Sequence, residues 1–310
     1  MVNIVEKQSE PFQPLIDYDA PSALRRYLDE HSLGMQKKFG QNFLINGDVR
    51  RRLVQALELP NGASVWEVGP GLGSMTAELI RQGATVKAFE IDRGFARALR
   101  ELIPVPSRFT LIEGDVLKTW PAEARKEQEQ GQVSNYFLGN LPYNIAATLL
   151  ADFIEQGRYF KRLVVTIQKE VAQRMLAKPG SKDYSSFTVL CSSAYTISPL
   201  MVLKGPSFYP VPNVDSQAVR MDLRTDRNPE ADTPLFRAMV RSLFSSRRKN
   251  LKNNLYSFLS SRYAQLGTDL SLLAETAITQ AGLRGQQRAE ELDIDAFVRL
   301  AGRVELLVCQ

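Results

Sequence analysis

From residue 64 onward the chain switches repeatedly between two hydrophobic periods, and this alternation limits its fold more than any other feature. "SVWEVG", "TVKAFEID", "FTLIEGD", "YFLGN" and "RLVVTIQ" are short apolar runs that read as strands. Between them, "GSMTAELIRQG", "GFARALRELI" and "AATLLADFIEQG" repeat apolar residues at three- and four-residue spacing and read as helices. Strands alternating with helices predict an α/β fold, a parallel sheet with helices on both faces. "PAEARKEQEQGQ" (121–132) is charged and apolar-poor, and reads as a solvated helix or loop inserted before "YFLGN". After "SQAVRMDLR" the texture changes. "DRNPEADTP" reads as a linker, and from Leu235 only helical periodicity remains, with Phe236, Met239, Val240, Leu243 and Phe244 on one stripe. The expected organisation is a leader over 1–34 with a short helix from Pro21–Ser22, an α/β domain over 35–225, and a small all-α domain over 235–310.

Composition removes several chemistries. The one histidine, His31, lies in the leader, so histidine acid–base catalysis and histidine-rich metal sites are not expected. The two cysteines, Cys191 and Cys309, have no metal-ligand spacing, which predicts a reduced, cytoplasmic protein without bound metal. No apolar run approaches the ~18 residues of a membrane helix. The N-terminus lacks the basic start and apolar centre of a secretory signal. The formal charge of +5 is unevenly spread: 35–52 carries +4, including Lys37 and Lys38, and 241–254 carries +5, including Arg247, Arg248, Lys249 and Lys252. Two concentrated basic patches predict a polyanionic partner.

"EVGPGLGS" follows the first strand and opens a helix, with Gly69, Gly71 and Gly73 at G-x-G-x-G spacing and Glu67 two residues ahead. Glycines let backbone approach a ligand at a helix N-terminus. The dinucleotide fingerprint is G-x-G-x-x-G, so this spacing favours an S-adenosylmethionine pocket and leaves NAD open. Glu90 ends the next strand, placed to accept from ribose hydroxyls, and Asp115 ends the third, placed to accept from an adenine amine.

The fourth strand ends in Asn140-Leu141-Pro142-Tyr143. An aromatic amine such as adenine N6 is a poor nucleophile because its lone pair is delocalised into the ring. Two acceptors gripping its hydrogens favour a pyramidal nitrogen with the lone pair aimed outward. The Asn140 side-chain oxygen and the Leu141 carbonyl can be those acceptors, and Pro142 biases Leu141 toward an extended conformation. Tyr143 offers a face for stacking, worth roughly 1–3 kcal/mol. Phe208, before the Pro210-x-Pro212 turn, is either a second face of the clamp or a loop anchor.

The ordered set "KKFGQNFL" (37–44), "EVGPGLGSMT" (67–76), "EID" (90–92), "GDVL" (114–117), "NLPYNI" (140–145), "FYPVPNVDS" (208–216) and "RRKNLKNNL" (247–255) resembles the KsgA-type ribosomal RNA adenine dimethyltransferases. The resemblance implies a class I methyltransferase, Rossmann-like mostly parallel sheet with a helical RNA-binding domain. It implies N6-dimethylation of two adjacent adenosines in a 3′-terminal hairpin loop of small-subunit (16S) ribosomal RNA, on an immature subunit, by a cytoplasmic monomer with no membrane attachment. It implies Asn42, Leu44, Gly69, Gly71, Glu90, Ile91, Asp115, Val116 and Asn140 around S-adenosylmethionine. Asn140–Tyr143 and Phe208 then form the target-base site, and Lys37, Lys38, Arg247, Arg248, Lys249 and Lys252 contact RNA. Enzymes acting on large-subunit RNA more often carry Ile at the Leu141 position and lack the full "FYPVPNVDS" run. Two alternatives stay open, that large-subunit branch and a non-catalytic assembly factor that has kept the fold. The leader and the 121–132 stretch exceed the family minimum, and Ala289 stands where proline is common.

Overall fold

A computed structural model describes residues 12–34 and 41–309. In chain order the first elements are helix α1 (Pro21–Glu30), strand β1 (Phe43–Leu44), α2 (Gly47–Gln55), β2 (Ser64–Val68), α3 (Ser74–Arg81), β3 (Thr85–Glu90), α4 (Arg93–Leu102) and β4 (Phe109–Glu113). There follow α5 (Val116–Gln130), β5 (Tyr136–Asn140), α6 (Ala146–Glu155), β6 (Arg162–Gln168), α7 (Lys169–Met175), α8 (Ser186–Ala194), β7 (Tyr195–Leu203), β8 (Phe208–Tyr209) and β9 (Ser216–Leu223). The remaining helices are α9 (Pro234–Leu243), α10 (Leu251–Tyr263), α11 (Leu270–Gln280) and α12 (Ile294–Val308).

Seven strands form one sheet in the order β4-β3-β2-β5-β6-β9-β7. β2 runs parallel to both β3 and β5, β3 to β4, and β5 to β6. The chain therefore leaves β2 toward one edge and returns to its other side at β5. The carboxyl ends of β2 and β5 flank this reversal, which is where open parallel sheets bind ligands. β2 is apolar enough to be buried on both faces, with Val65 and Trp66 fully covered, each large side chain contributing roughly 1.5–3 kcal/mol.

By its internal contacts the chain falls into two compact units. The first takes in the described residues up to Asn144, with Arg162–Ile167 and Met201–Arg220. The second takes in Ile145–Lys161, Gln168–Leu200 and the described residues from Met221 onward. In the second unit, the apolar stripes of α9–α12 meet in one core that includes Phe236, Met239, Leu255, Phe258, Ile278, Phe297 and Leu300.

Two connections carry more packing than their sequence shows. The 121–132 stretch is a largely exposed helix, one of the two forms expected of it, and most of it belongs to α5, the crossover from β4 to β5. Trp120, Ala124 and Glu127 are buried there, and Glu127 accepts from the Trp66 indole at 2.7 Å and from the Ser134 backbone and hydroxyl at 3.0 and 2.8 Å. Few of its residues are apolar, so its buried face is held by hydrogen bonds that leave no hydrophobic period to read. The 226–234 stretch is also packed. The Arg227 guanidinium lies 4.0 Å above the Tyr159 ring, and the Tyr159 hydroxyl donates to Asp232 at 2.6 Å.

Candidate functional site

The glycine loop turns out of β2 and enters α3. Gly71 has φ +60°, and a Cβ there would fall 2.4 Å from the Phe43 ring, so only glycine lets β1 lie across the loop. Glu90, at the end of β3, is 5% exposed, and its two oxygens accept from the backbone N–H groups of Asp92 at 2.9 Å and Gly71 at 3.4 Å. Burial raises its pKa from 4.5 to about 7 against those hydrogen bonds. Glu67 is fully buried near the end of β2, with Oε2 accepting from the Thr76 hydroxyl at 2.7 Å and Oε1 without a partner among the described residues. Burial, with a smaller push from Glu90, also raises its pKa to about 7.

Two buried carboxyls thus lie beside a left-handed glycine turn and a helix N-terminus, where a cationic ligand with hydroxyl donors would stabilise their ionised form. The orphaned Glu67 oxygen and the Glu90 carboxyl fit the charge and ribose of S-adenosylmethionine. Asp115 caps α5, one oxygen accepting from Leu117 N–H at 3.0 Å. Val116 is buried, whereas Ile91 exposes 42% of its surface at the carboxyl end of the sheet. Among the described residues, no cluster of three or more His, Cys, Asp or Glu is placed to hold a metal.

Asn140 ends β5 beside this loop. A Cβ on Gly69 would stand 3.6 Å from the Asn140 carbonyl oxygen and 3.8 Å from Pro142 Cδ. The Asn140 Nδ2 donates to the Asn42 carbonyl at 2.7 Å, which fixes the flip of the amide and leaves Oδ1 as the acceptor end. Leu141 N–H is taken by the Thr166 carbonyl at 3.0 Å, and its side chain is buried under Gly139, where a Cβ would collide with it at 2.6 Å. Tyr143 is half-buried, and its hydroxyl shares a 2.7 Å hydrogen bond with Ser216 Oγ. Phe208 is 2% exposed, and its backbone pairs with Leu44, as Tyr209 does with Phe43. The structure thus brings Asn42, Leu44, Gly69, Gly71, Glu90, Asn140–Tyr143 and Phe208 into one unit around the sheet reversal.

The basic residues divide. Lys37 and Lys38 lie outside the described residues. Arg247 is committed to its own unit, bonding Glu290 Oε2 at 2.9 and 2.7 Å and the Lys182 carbonyl at 2.7 Å. Lys252 pairs with Glu275. Arg248 and Lys249 are exposed and enter no ion pair among the described residues. The loop that carries them is sealed from below by Asn254, 2% exposed, whose Nδ2 reaches the carbonyls of Leu243 and Ser246 at 3.1 Å.

Sequence reasoning missed four supporting residues. Asp92 is buried and caps α4 through Gly94 N–H at 2.8 Å, and an aspartate opening an apolar-periodic stretch is a readable cap signal. Ser216 closes the "FYPVPNVDS" stretch without a role read for it, and Tyr18 and Arg50 gave no such signal, because each reaches a partner distant in sequence.

The sequence pattern of the family described as "Ribosomal RNA adenine dimethylase" matches residues 33–284. "Ribosomal RNA small subunit methyltransferase A" of Treponema denticola is 43% identical over 287 residues, spanning 92% of this chain and 94% of that protein. The protein of the same name in Bacillus cytotoxicus is 34% identical, spanning 92% and 96%. Among solved structures, a dimethyladenosine transferase from Plasmodium falciparum aligns with a TM-score of 0.66 at 22% identity, over 82% of this chain and 94% of that one. The 23S rRNA methyltransferase ErmE aligns with a TM-score of 0.57, also at 22% identity, over 85% and 99%. At that identity the structural matches establish a shared class I methyltransferase fold.

Proposed function

The chain belongs to the ribosomal RNA adenine dimethylase family, and on that premise we propose that it dimethylates N6 of adenosine in small-subunit (16S) ribosomal RNA, with S-adenosylmethionine as methyl donor. The small-subunit assignment follows the relatives named for that subunit, which align over more than nine tenths of this chain. Two adjacent adenosines in a 3′-terminal hairpin loop are the proposed targets, on an immature subunit, with the enzyme acting as a cytoplasmic monomer.

The observation that carries the reading is the direction of the Asn140 amide. With Nδ2 spent on Asn42, Oδ1 is left to accept one N6 hydrogen, and the Leu141 carbonyl accepts the other. Bound S-adenosylmethionine supplies a methyl group on a positively charged sulfur. The two acceptors hold N6 pyramidal and aim its lone pair at that carbon. The glycine loop and Glu90 would hold the donor, whose sulfur would keep the electron pair of the C–S bond when the methyl group passes to nitrogen. The resulting ammonium is acidic enough to lose its proton to water, so the protein needs no general base. Tyr143 stacks on the base, the buried Phe208 anchors the loop beside it, and catalysis rests on alignment and fixed dipoles. The target adenosine must leave its stack, a cost of a few kcal/mol that is smaller for an unpaired loop base.

The test is labelled methyl transfer to small ribosomal subunits that lack the modification, followed by nucleoside analysis. Label should appear as N6,N6-dimethyladenosine in small-subunit RNA. Label confined to large-subunit RNA, or none in adenosine, overturns the assignment.

A further inference from the structure

The described part of the leader that precedes α1 lies outside the span matched by the family, yet it reaches the donor pocket at two points. Tyr18, 6% exposed, donates its hydroxyl to the Leu72 carbonyl at 2.7 Å. Leu72 is the residue between Gly71 and Gly73, at φ +60° and +84°. A turn built from left-handed glycines has little intrinsic preference for one orientation, so an outside hydrogen bond at its centre restricts it strongly.

The second point runs through Arg50, a charged side chain only 4% exposed. Its guanidinium pairs with Asp19 of the leader and donates to the Leu44 carbonyl at 3.1 Å. Asp19 also takes Arg51 at 2.9 Å. The seat is shaped for this carboxylate, since a Cβ at Gly47 would collide with it. Leu44 belongs to β1, whose neighbour Asn42 holds the Asn140 amide and whose Phe43 lies on Gly71. One short run of leader thus ties both the glycine loop and the strand that crosses it.

We propose that Tyr18 and Asp19 are positioning residues for the methyl donor, holding the glycine loop and β1 at the separation that S-adenosylmethionine needs. The inference rests on the donor site proposed above. Neither residue touches the reacting atoms. Each acts on them through Leu72 or through Arg50 and Leu44.

The test compares the full-length protein with Tyr18→Phe, which keeps the ring and removes one hydroxyl, and with Asp19→Asn. Donor affinity is read by calorimetry, where a misfolded fraction lowers stoichiometry and leaves Kd intact. Steady-state methyl transfer is read alongside. Tyr18→Phe should raise Kd and KM for S-adenosylmethionine about three- to tenfold, the effect of one hydrogen bond. Its kcat at saturating donor and its RNA affinity should stay within about twofold of wild type. Asp19→Asn should move donor affinity in the same direction. Unchanged donor Kd in both variants, with only the melting temperature lowered, means these contacts serve the fold alone and overturns the inference. A wild-type protein that binds no S-adenosylmethionine overturns the donor site itself, a result separable from the first.

Discussion

Asn140 has two ends, and the fold uses them differently. Its nitrogen is consumed by a backbone carbonyl across β1, and that fixed partner is what makes the oxygen a reliable acceptor. Glu90 is fixed by the same logic, with backbone donors on both oxygens inside a buried site. Burial raises its pKa from 4.5 to about 7, so the sign of its pH effects follows directly. Between those values the folded, donor-free protein holds a proton that the unfolded chain has released. This contribution to stability is therefore full below pH 4.5 and is lost as pH rises through about 7. In the proposed donor site, ribose hydroxyls donate to the ionised carboxylate, so donor binding runs the other way and strengthens with rising pH. Titrations at pH 8 and pH 6 should give a donor Kd about tenfold weaker at the lower pH, as release of one proton with a pKa near 7 requires. Glu90→Gln should bind weakly at both and lose most of that dependence. A Kd independent of pH in the wild-type protein would remove Glu90 from the donor site.

Elements act by delivering these residues to one place. β5 delivers Asn140 and Tyr143, and β9 begins at Ser216, which is fully buried and holds the Tyr143 hydroxyl at 2.7 Å. If that bond orients the stacking ring, Tyr143→Phe and Ser216→Ala should each lower kcat/KM for RNA about three- to tenfold, and the double variant should be no worse than either single one. Additive losses in this double-mutant cycle would show that the two residues act separately. The positions of the glycine loop, of the carboxylates ending β3 and preceding α5, and of the Asn-Leu-Pro-Tyr end of β5 were legible because each sits in a few consecutive residues at the end of a readable strand. β1 and β8 were not. They are two residues each, and Phe43 pairs with Tyr209, a residue far along the chain. Arg50 illustrates the same limit, since it counted toward a basic patch in the sequence but is buried between Asp19 and Leu44. The 121–132 stretch could be read as a helix or a loop, but its packed side could not, because that side is polar and centred on Glu127.

At the scale of the molecule, a net charge of +5 matters less than which cations are free. Arg247 and Lys252 hold their own unit together, whereas Arg248 and Lys249 stand exposed on a loop that Asn254 keeps in shape. Phosphate contacts by the free pair should appear in the salt dependence of RNA binding. The double variant Arg248→Ala, Lys249→Ala should flatten the slope of log K against log salt by about 1.4–1.8, while Arg247→Ala chiefly lowers the melting temperature. An unchanged slope in the double variant would place RNA elsewhere. RNA binding and methyl transfer are thus assigned to different residues, and Asn140 is where they are most cleanly separated. The most direct measurement is single-turnover transfer from labelled S-adenosylmethionine to unmodified small subunits by wild type and Asn140→Ala, with donor and RNA affinities measured in parallel. Asn140→Ala should lose methyl transfer at saturating donor by about 10²-fold or more, the scale of removing one preorganised polar group, while RNA affinity stays within about threefold. Transfer by Asn140→Ala at close to the wild-type rate would contradict the account.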